Sequence, residues 1–158
     1  MFLKNKHLII AALVAPVLAL ISYFAIDAFV GESPHVAEEG QSYPLAEMSN
    51  CRYNSGSCSL KNVDFELVLS PEWRDDGWLL LTLTSALPLD GVVLALAGET
   101  GEEPPREMRR MDDEGLVWSL EMARPDAERN RLHIVASSSQ SLWFGDAALK
   151  FILPKTEP

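Results

Sequence analysis

The most constraining feature of this sequence is a series of short segments in which apolar and polar residues alternate. Within residues 63–69 every second residue is apolar, namely Val63, Phe65, Leu67 and Leu69. Residues 78–84, 116–122 and 131–137 follow the same pattern. A period of two residues is typical of a β-strand with one buried face. The chain is therefore expected to fold mainly as β-structure.

Turn sequences separate these segments at close intervals. The motifs DDG, PLDG and DDEG combine acidic residues, proline and glycine, which favour tight turns. Residues 92–97 and 147–153 are predicted as further strands, and the charged residues 106–111 as an edge strand. The sequence SSSQSLWFGD, which ends at residue 146, is interpreted as a loop. About seven strands predict an immunoglobulin-like antiparallel β-sandwich in residues 51–158, with a small open β-barrel as the alternative.

The N-terminal segment differs from the rest of the chain. Residues 8–30 are apolar, with Asp27 as their one charged residue, and Lys4 and Lys6 precede them. About 20 apolar residues cross a bilayer core, and positive residues stay on the cytoplasmic side. The sequence therefore predicts a cytoplasmic tail (1–7) and a single-pass transmembrane anchor (8–30). The alternative is a cleaved signal peptide.

Residues 31–50 are polar and acidic and contain Pro34, Gly40 and Pro44. This composition indicates a spacer between the membrane and the folded domain. A short basic tail and the lack of an N-x-S/T glycosylation acceptor favour a bacterial chain. The predicted location is the bacterial inner membrane, with residues 31–158 in the periplasm. His35 stands alone in the spacer and is not interpreted as a ligand.

The charge of the chain limits its partners. The formal net charge is -10, from 13 basic and 23 acidic residues. Nucleic acids are recognised through lysine and arginine contacts with phosphate, so an acidic chain argues against nucleic-acid binding. The same charge argues against lying flat on an anionic lipid surface.

Cys51 and Cys58 are the two cysteines of the chain, and six residues separate them. Two cysteines in an oxidising compartment usually form a disulfide. The spacing is not that of a C-x-x-C redox motif, and a zinc site requires about four ligands. A disulfide is therefore predicted, with a metal or redox site as the alternative.

The sequence contains none of the common catalytic motifs. It lacks G-x-S-x-G, H-E-x-x-H, S-x-x-K and a phosphate-binding glycine loop. Of its three histidines, His133 alone falls within the predicted domain. We therefore expect a non-catalytic protein without a cofactor. A hydrolase that uses only carboxylates stays open, because spacing does not show which acids converge.

Soft ligands suggest one alternative chemistry. Met108, Met111 and Met122, with His133, are residue types that bind Cu(I). Residues three apart on a strand point to opposite faces, so Met108 and Met111 converge only in a loop. Met122 extends an inward stripe and fits the core. A Cu(I) metallochaperone that assists respiratory-enzyme assembly is kept as the alternative function.

Several exposed candidates for partner binding follow from the pattern. Trp78 and Leu80 alternate onto the face opposite the main apolar stripe, together with Val68, and form either an exposed patch or a covered one. The complete set of candidates is Arg52, Tyr53, Trp73, Trp78, Leu80, Trp143 and Phe144. The predicted function is a non-catalytic, membrane-anchored periplasmic interaction module. We expect it to dock on another envelope or membrane protein complex, and a homo-oligomer stays possible.

Overall fold

A computed structural model describes residues 6–30 and 40–154. The predicted tail, except for Lys6 and His7, and residues 31–39 with His35 lie outside the described residues. The chain divides into two compact units, Met1–Val36 and Ala37–Pro158, which are described separately.

The first unit contains helix α1 (Lys6–Val30), which includes Pro16. Its apolar side chains between Ile9 and Phe24 are largely exposed. A search of the described residues found no helix with the length and hydropathy that crossing a membrane requires. The predicted single-pass anchor is therefore not supported by the structure.

The second unit is built from strands, and the described residues contain twelve of them rather than about seven. They are β1 (Ser42–Pro44), β2 (Ala46–Glu47), β3 (Cys58–Asn62), β4 (Phe65–Trp73), β5 (Leu79–Ser85), β6 (Gly91–Gly98), β7 (Gly101–Glu102), β8 (Arg106–Glu107), β9 (Arg109–Arg110), β10 (Val117–Met122), β11 (Arg131–Ser138) and β12 (Ser141–Ala148). Short 3₁₀ helices span Ser49–Arg52 and Lys150–Ile152. The prediction of a mainly β fold is confirmed.

The strands form two six-stranded sheets. Sheet 1 has the order β1-β12-β11-β6-β7, and β8 also pairs with β6. Sheet 2 has the order β2-β3-β4-β5-β10-β9. The chain crosses between the sheets after β1, β5, β8 and β10. The strands divide into two separate sheets, so the open-barrel alternative does not describe them.

The strand order differs from the immunoglobulin arrangement. In that arrangement the second and third strands lie in opposite sheets. Here β3, β4 and β5 follow one another as neighbours in sheet 2. The sandwich is also not purely antiparallel, because β1 pairs in parallel with β12.

Alternation explains why these strands enclose one core. Leu67 and Leu69 of β4 and Leu81 of β5 have no exposed surface, whereas their sequence neighbours are partly exposed. Sheet 1 contributes Ile134 and Trp143 to the same cluster. Burying a leucine side chain contributes about 1.5–3 kcal/mol. The alternating leucines therefore contribute strongly to the packing of the two sheets.

Val63 is predicted to face the core, but it lies in the two-residue turn between β3 and β4 and is 58% exposed. Its φ of 48° is unfavourable for a β-branched residue. The strand pattern therefore begins at Phe65. The spacing of apolar residues alone does not show that Val63 occupies a turn.

The predicted loop that ends at residue 146 is wrong, because Ser141–Ala148 form strand β12. Ser139 and Gln140 alone connect β11 to β12, with φ values of 49° and 65°. Two successive positive φ values define a tight hairpin turn that usually contains asparagine or glycine. The predicted strand 147–153 instead ends at Ala148 and continues into the 3₁₀ helix.

The predicted edge strand 106–111 is divided between the sheets. Arg106 and Glu107 pair with β6 of sheet 1, whereas Arg109 and Arg110 pair with β10 of sheet 2. Met108 lies at the crossing and is buried. The buried methionine thus fixes the point at which the chain changes sheets.

The described part of the predicted spacer is not a linker. Residues 40–50 contain β1, β2 and the start of a 3₁₀ helix. Leu45 is buried between the two strands and lies against Gly145, where an added Cβ atom would approach the Leu45 backbone oxygen to 3.0 Å. Residues 42–47 therefore belong to the sandwich.

Candidate functional site

The loop between Cys51 and Cys58 is closed by a disulfide, which confirms that prediction. Asn50 links its two ends, because its side-chain oxygen accepts the Ser59 N–H at 3.1 Å. The Ser55 hydroxyl oxygen lies 2.6 Å from the backbone oxygens of both Asn50 and Ser57, and its single proton donates to one of them at a time. Both cysteines are completely buried. The loop is therefore held by covalent and polar contacts together.

Arg52 and Tyr53 project from this loop. Tyr53 is 66% exposed, and its contact with a partner stays a prediction. The Arg52 guanidinium lies 3.8 Å from the Glu47 carboxylate, which also meets Arg131 at 3.5 Å. The other Glu47 oxygen accepts the Ala148 N–H at 2.8 Å. Glu47 thus links β2 of sheet 2 to β11 and β12 of sheet 1, a role that the sequence does not indicate.

Trp73 does not share a surface with Trp78. Its indole N–H donates to the backbone oxygen of Ile152 at 2.8 Å, and the Arg124 guanidinium lies 5.3 Å from its ring. The side chain is half-buried and packs against the core. Trp73 therefore closes one end of the sandwich, whereas Trp78 lies on the outer side of sheet 2.

Trp143 and Phe144 are neighbours in β12 and point to opposite sides of sheet 1. Trp143 is 6% exposed, and its ring stacks on Tyr43 at 4.8 Å and on Phe65 at 4.3 Å between centroids. It is a core residue that also joins the two sheets. Phe144 is 44% exposed on the outer face.

Phe144 belongs to an apolar row that crosses sheet 1. It pairs with Val135, which pairs in turn with Val93, and Pro44 continues the row on the other side. Leu142 lies two residues from Phe144 on the same face. Val135 is 41% exposed and Leu142 is 45% exposed. We call these five residues the apolar row and treat it as a candidate contact surface.

Trp78 lines a groove on sheet 2. It is 44% exposed, and Leu80 beside it is half-buried. The groove has a volume of about 500 Å³ and is lined by Arg74, Trp78, Leu80, Arg106, Glu107, Arg109, Met111, Ser119, Leu120 and Glu121. Val68 lies elsewhere on the same face, so the predicted patch of Trp78, Leu80 and Val68 is not continuous.

The candidate copper ligands are not brought together. Met108 and Met122 are buried in the core, at 5% and 4% exposure. Met111 lies in the groove on the outer side of sheet 2. His133 lies on the outer side of sheet 1, between Glu102 at 3.1 Å and Asp146 at 3.5 Å. The four residues therefore occupy the two outer faces and the core between them.

Asp112 organises the DDEG turn between β9 and β10. Its carboxylate accepts the N–H groups of Leu116 and Val117 at 3.1 Å. Desolvation acts to raise the pKa of Asp112, but the hydrogen bonds from Val117, Leu116 and Gly115 outweigh it and lower the pKa below its ordinary value. The acidic turn is therefore a structural element of the groove's edge.

Sequence reasoning does not select Val135, Leu142 or Met111 as surface residues. Val135 lies between the inward residues Ile134 and Ala136, so alternation alone is sufficient to place it outside. Leu142 is missed because the sequence predicts a loop in place of its strand. Met111 is 57% exposed, and its spacing of three residues from the buried Met108 is the signal that places the two on opposite sides of a strand.

Comparisons with protein-family models, curated proteins and solved structures returned no match.

Proposed function

We propose that this chain is a non-catalytic interaction module whose sandwich docks on another protein of the bacterial envelope through the apolar row of sheet 1. The observation that carries the proposal is the exposure of Phe144, Val135 and Leu142 in the middle of a regular sheet face. Burial of exposed apolar groups against a partner stabilises the complex by about 25 cal/mol per Å² of surface removed from water. Aromatic residues at the centre of a patch are frequent in interfaces.

The geometry of the row suits a flat partner surface. Cross-strand neighbours on one sheet face lie about 4.5–5.5 Å apart, so Pro44, Phe144, Val135 and Val93 form a continuous line. The line ends at Glu107, and His133 with Asp146 stands on the neighbouring row. Polar residues therefore flank an apolar centre, which is the usual composition of a protein interface.

Membrane attachment is the second part of the proposal. It rests on the apolar sequence of residues 8–30 and on the basic residues that precede them. The prediction is an inner-membrane location with the sandwich in the periplasm. Attachment would confine the module to two dimensions and raise its effective concentration near membrane partners.

Site-specific photo-crosslinking in intact cells tests the docking surface. A photo-reactive amino acid replaces Val135 in the full chain, and a second variant carries it at Thr84, an exposed residue on the outer face of sheet 2. We expect adducts with another envelope protein from position 135 and far fewer from position 84. Adding Phe144→Ser to the first variant should reduce the adducts. Equal labelling from both positions, or adducts with the chain itself alone, would contradict docking on another protein.

Fractionation tests the location separately. The full chain should remain with the membranes after an alkaline carbonate wash. The sandwich should become accessible to protease when the outer membrane is opened. Recovery of the chain in the soluble fraction would contradict membrane attachment and would leave the docking surface to be judged by the crosslinks.

A further inference from the structure

The groove on sheet 2 arises from the way the chain changes sheets at Met108. Strand β9 is only two residues long and pairs with Trp118 and Ser119 of β10. The following residues of β10, up to Met122, have β5 on one side and no strand on the other. The open edge forms the floor of the groove, and Arg106 reaches it by donating to the Glu121 backbone oxygen at 2.7 Å.

Apolar groups form one wall of this groove. Trp78, just before β5, provides an indole ring, and Leu80 within β5 provides an aliphatic side chain. Met111 provides a flexible thioether after β9. Trp78 and Met111 are 44% and 57% exposed. Tryptophan contributes strongly to protein interfaces, and methionine adapts its shape to different apolar partners.

The charges of the groove differ from those of the chain. Three arginines and two glutamates line it, whereas the whole chain carries a formal net charge of -10. Arg74 is paired with Glu121 at 3.2 Å. Arg106 contacts a backbone oxygen and has no carboxylate partner in residues 40–154. The groove therefore has one more basic than acidic residue, in a chain whose net charge is strongly negative.

Arg109 is the most informative of these residues. Its side chain projects from the same side of the sheet as Ser119, its partner in β10. Among the arginines that the structure describes, the Arg109 guanidinium alone has no ion pair, hydrogen bond or aromatic contact, although the domain is rich in acids. Guanidinium groups bind carboxylates through paired hydrogen bonds. An external carboxylate would complete the site.

We propose that the groove binds an extended acidic peptide segment of a partner protein that presents an apolar side chain. The apolar side chain lies against Trp78 and Met111, and the flanking carboxylates meet Arg106 and Arg109. A segment that lies along residues 120–122 of β10, which are unpaired on one side, is extended, and side-chain contacts hold it because Arg106 already donates to the Glu121 backbone oxygen. A volume of about 500 Å³ accommodates one large side chain and its neighbours. This site is separate from the apolar row and does not rest on it.

Peptide selection on the full-length protein tests the proposal. A random heptapeptide library displayed on phage is panned against the immobilised full chain. We expect enrichment of sequences in which acidic residues flank an aromatic or aliphatic residue. The strongest peptide is then synthesised, and its affinity is measured by fluorescence anisotropy. Selected peptides without acidic residues, or no enrichment at all, overturn the proposal.

Matched variants locate the binding. The double variant Arg106→Gln/Arg109→Gln should weaken the selected peptide by about tenfold or more, because it removes two charge-assisted contacts. The control Arg129→Gln/Lys150→Gln removes the same charge from residues that pair with Asp126 and Glu128 away from the groove. Trp78→Ala should also weaken binding. Equal weakening by the control double variant would show a general charge effect and overturn the site.

A site with tryptophan next to arginine also suits a lipid surface, which is the alternative ligand. Binding of each variant to vesicles that contain phosphatidylglycerol is therefore measured in parallel. Loss of vesicle binding in Arg106→Gln/Arg109→Gln with unchanged peptide binding assigns these arginines to lipid phosphates and overturns the peptide proposal. Circular dichroism of every variant confirms that the sandwich is folded.

Discussion

The outer faces of the two sheets follow the same alternation but present different chemistry. On sheet 1, Leu142, Phe144 and Val135 are each 41–45% exposed and lie together. On sheet 2, the middle of the face consists of hydroxyl and β-branched residues, namely Ser70, Thr82, Thr84, Val68, Val117 and Ser119. Its larger exposed apolar groups, Trp78 and Met111, lie in the groove at one end.

Sheet 2 shows that an outer face of this domain forms without large apolar groups at its centre. Threonine and valine suit an exposed strand and have high β-propensity. The exposed ring of Phe144 on sheet 1 is the contrasting feature, and our docking proposal attributes it to contact with a partner protein.

The largest change in the free energy of unfolding is expected from a substitution on the inner side of β12. Trp143→Ala removes a ring that stacks on Tyr43 and Phe65 and should lower the free energy of unfolding by about 3–5 kcal/mol. Urea unfolding followed by circular dichroism measures the change. A loss no greater than that of Phe144→Ala would contradict the division of β12 into an inner and an outer side.

The disulfide should affect both faces alike. The double variant Cys51→Ala/Cys58→Ala opens an eight-residue loop and should cost about 2–3 kcal/mol of stability. Because no residue of the loop belongs to the apolar row or lines the groove, crosslinking from Val135 and peptide binding at the groove should persist at low temperature. Loss of one activity alone in the folded variant would place the loop within that surface.

Acid should destabilise sheet 2 near the groove before it destabilises sheet 1 around the apolar row. The lowered pKa of Asp112 means that the charged form stabilises the folded state above about pH 4, the unfolded-state range. This contribution is lost as the pH falls through the folded-state pKa. Asp112→Asn should lower the urea midpoint at pH 7 and flatten its dependence on acid. Hydrogen exchange should rise in β9 and β10 and not in β11 and β12; a uniform rise would contradict a local role.

The smallest effect on stability is expected from converting sheet 1 to the chemistry of sheet 2. Phe144→Thr with Val135→Thr should change the free energy of unfolding by less than about 1 kcal/mol, because both side chains are exposed. The same variant should lose its envelope partner in co-purification from detergent-solubilised cells. Full retention of that partner would contradict the proposal that the outer face of sheet 1 binds it.

The buried alternation can be predicted well from the sequence. Leu67, Leu81 and Ile134 face the core as their spacing indicates, and the disulfide follows from two cysteines in one short loop. These features are local, because period-two alternation and loop closure are properties of a few neighbouring residues.

Non-local features cannot be predicted in this way. Nothing in Ser139 and Gln140 signals a hairpin turn, so the sequence predicts a loop in place of β12 and does not place Trp143 in a strand. The division of residues 106–110 between two sheets depends on partners in β6 and β10. The groove follows from that division, which explains why spacing alone does not select Arg109.

The parallel pairing of β1 with β12 has a consequence for how the domain is made. Ser42 pairs with Leu142, so the first strand of the sandwich cannot pair before the last one is present. Contacts between residues so distant in sequence slow folding, because the intervening chain must close before they are gained. A chain produced from its N-terminus leaves Tyr43 without the stacking surface of Trp143 until residues 141–148 emerge. Completion of this sandwich is therefore a late step of folding, and truncation within β12 should leave an incomplete domain.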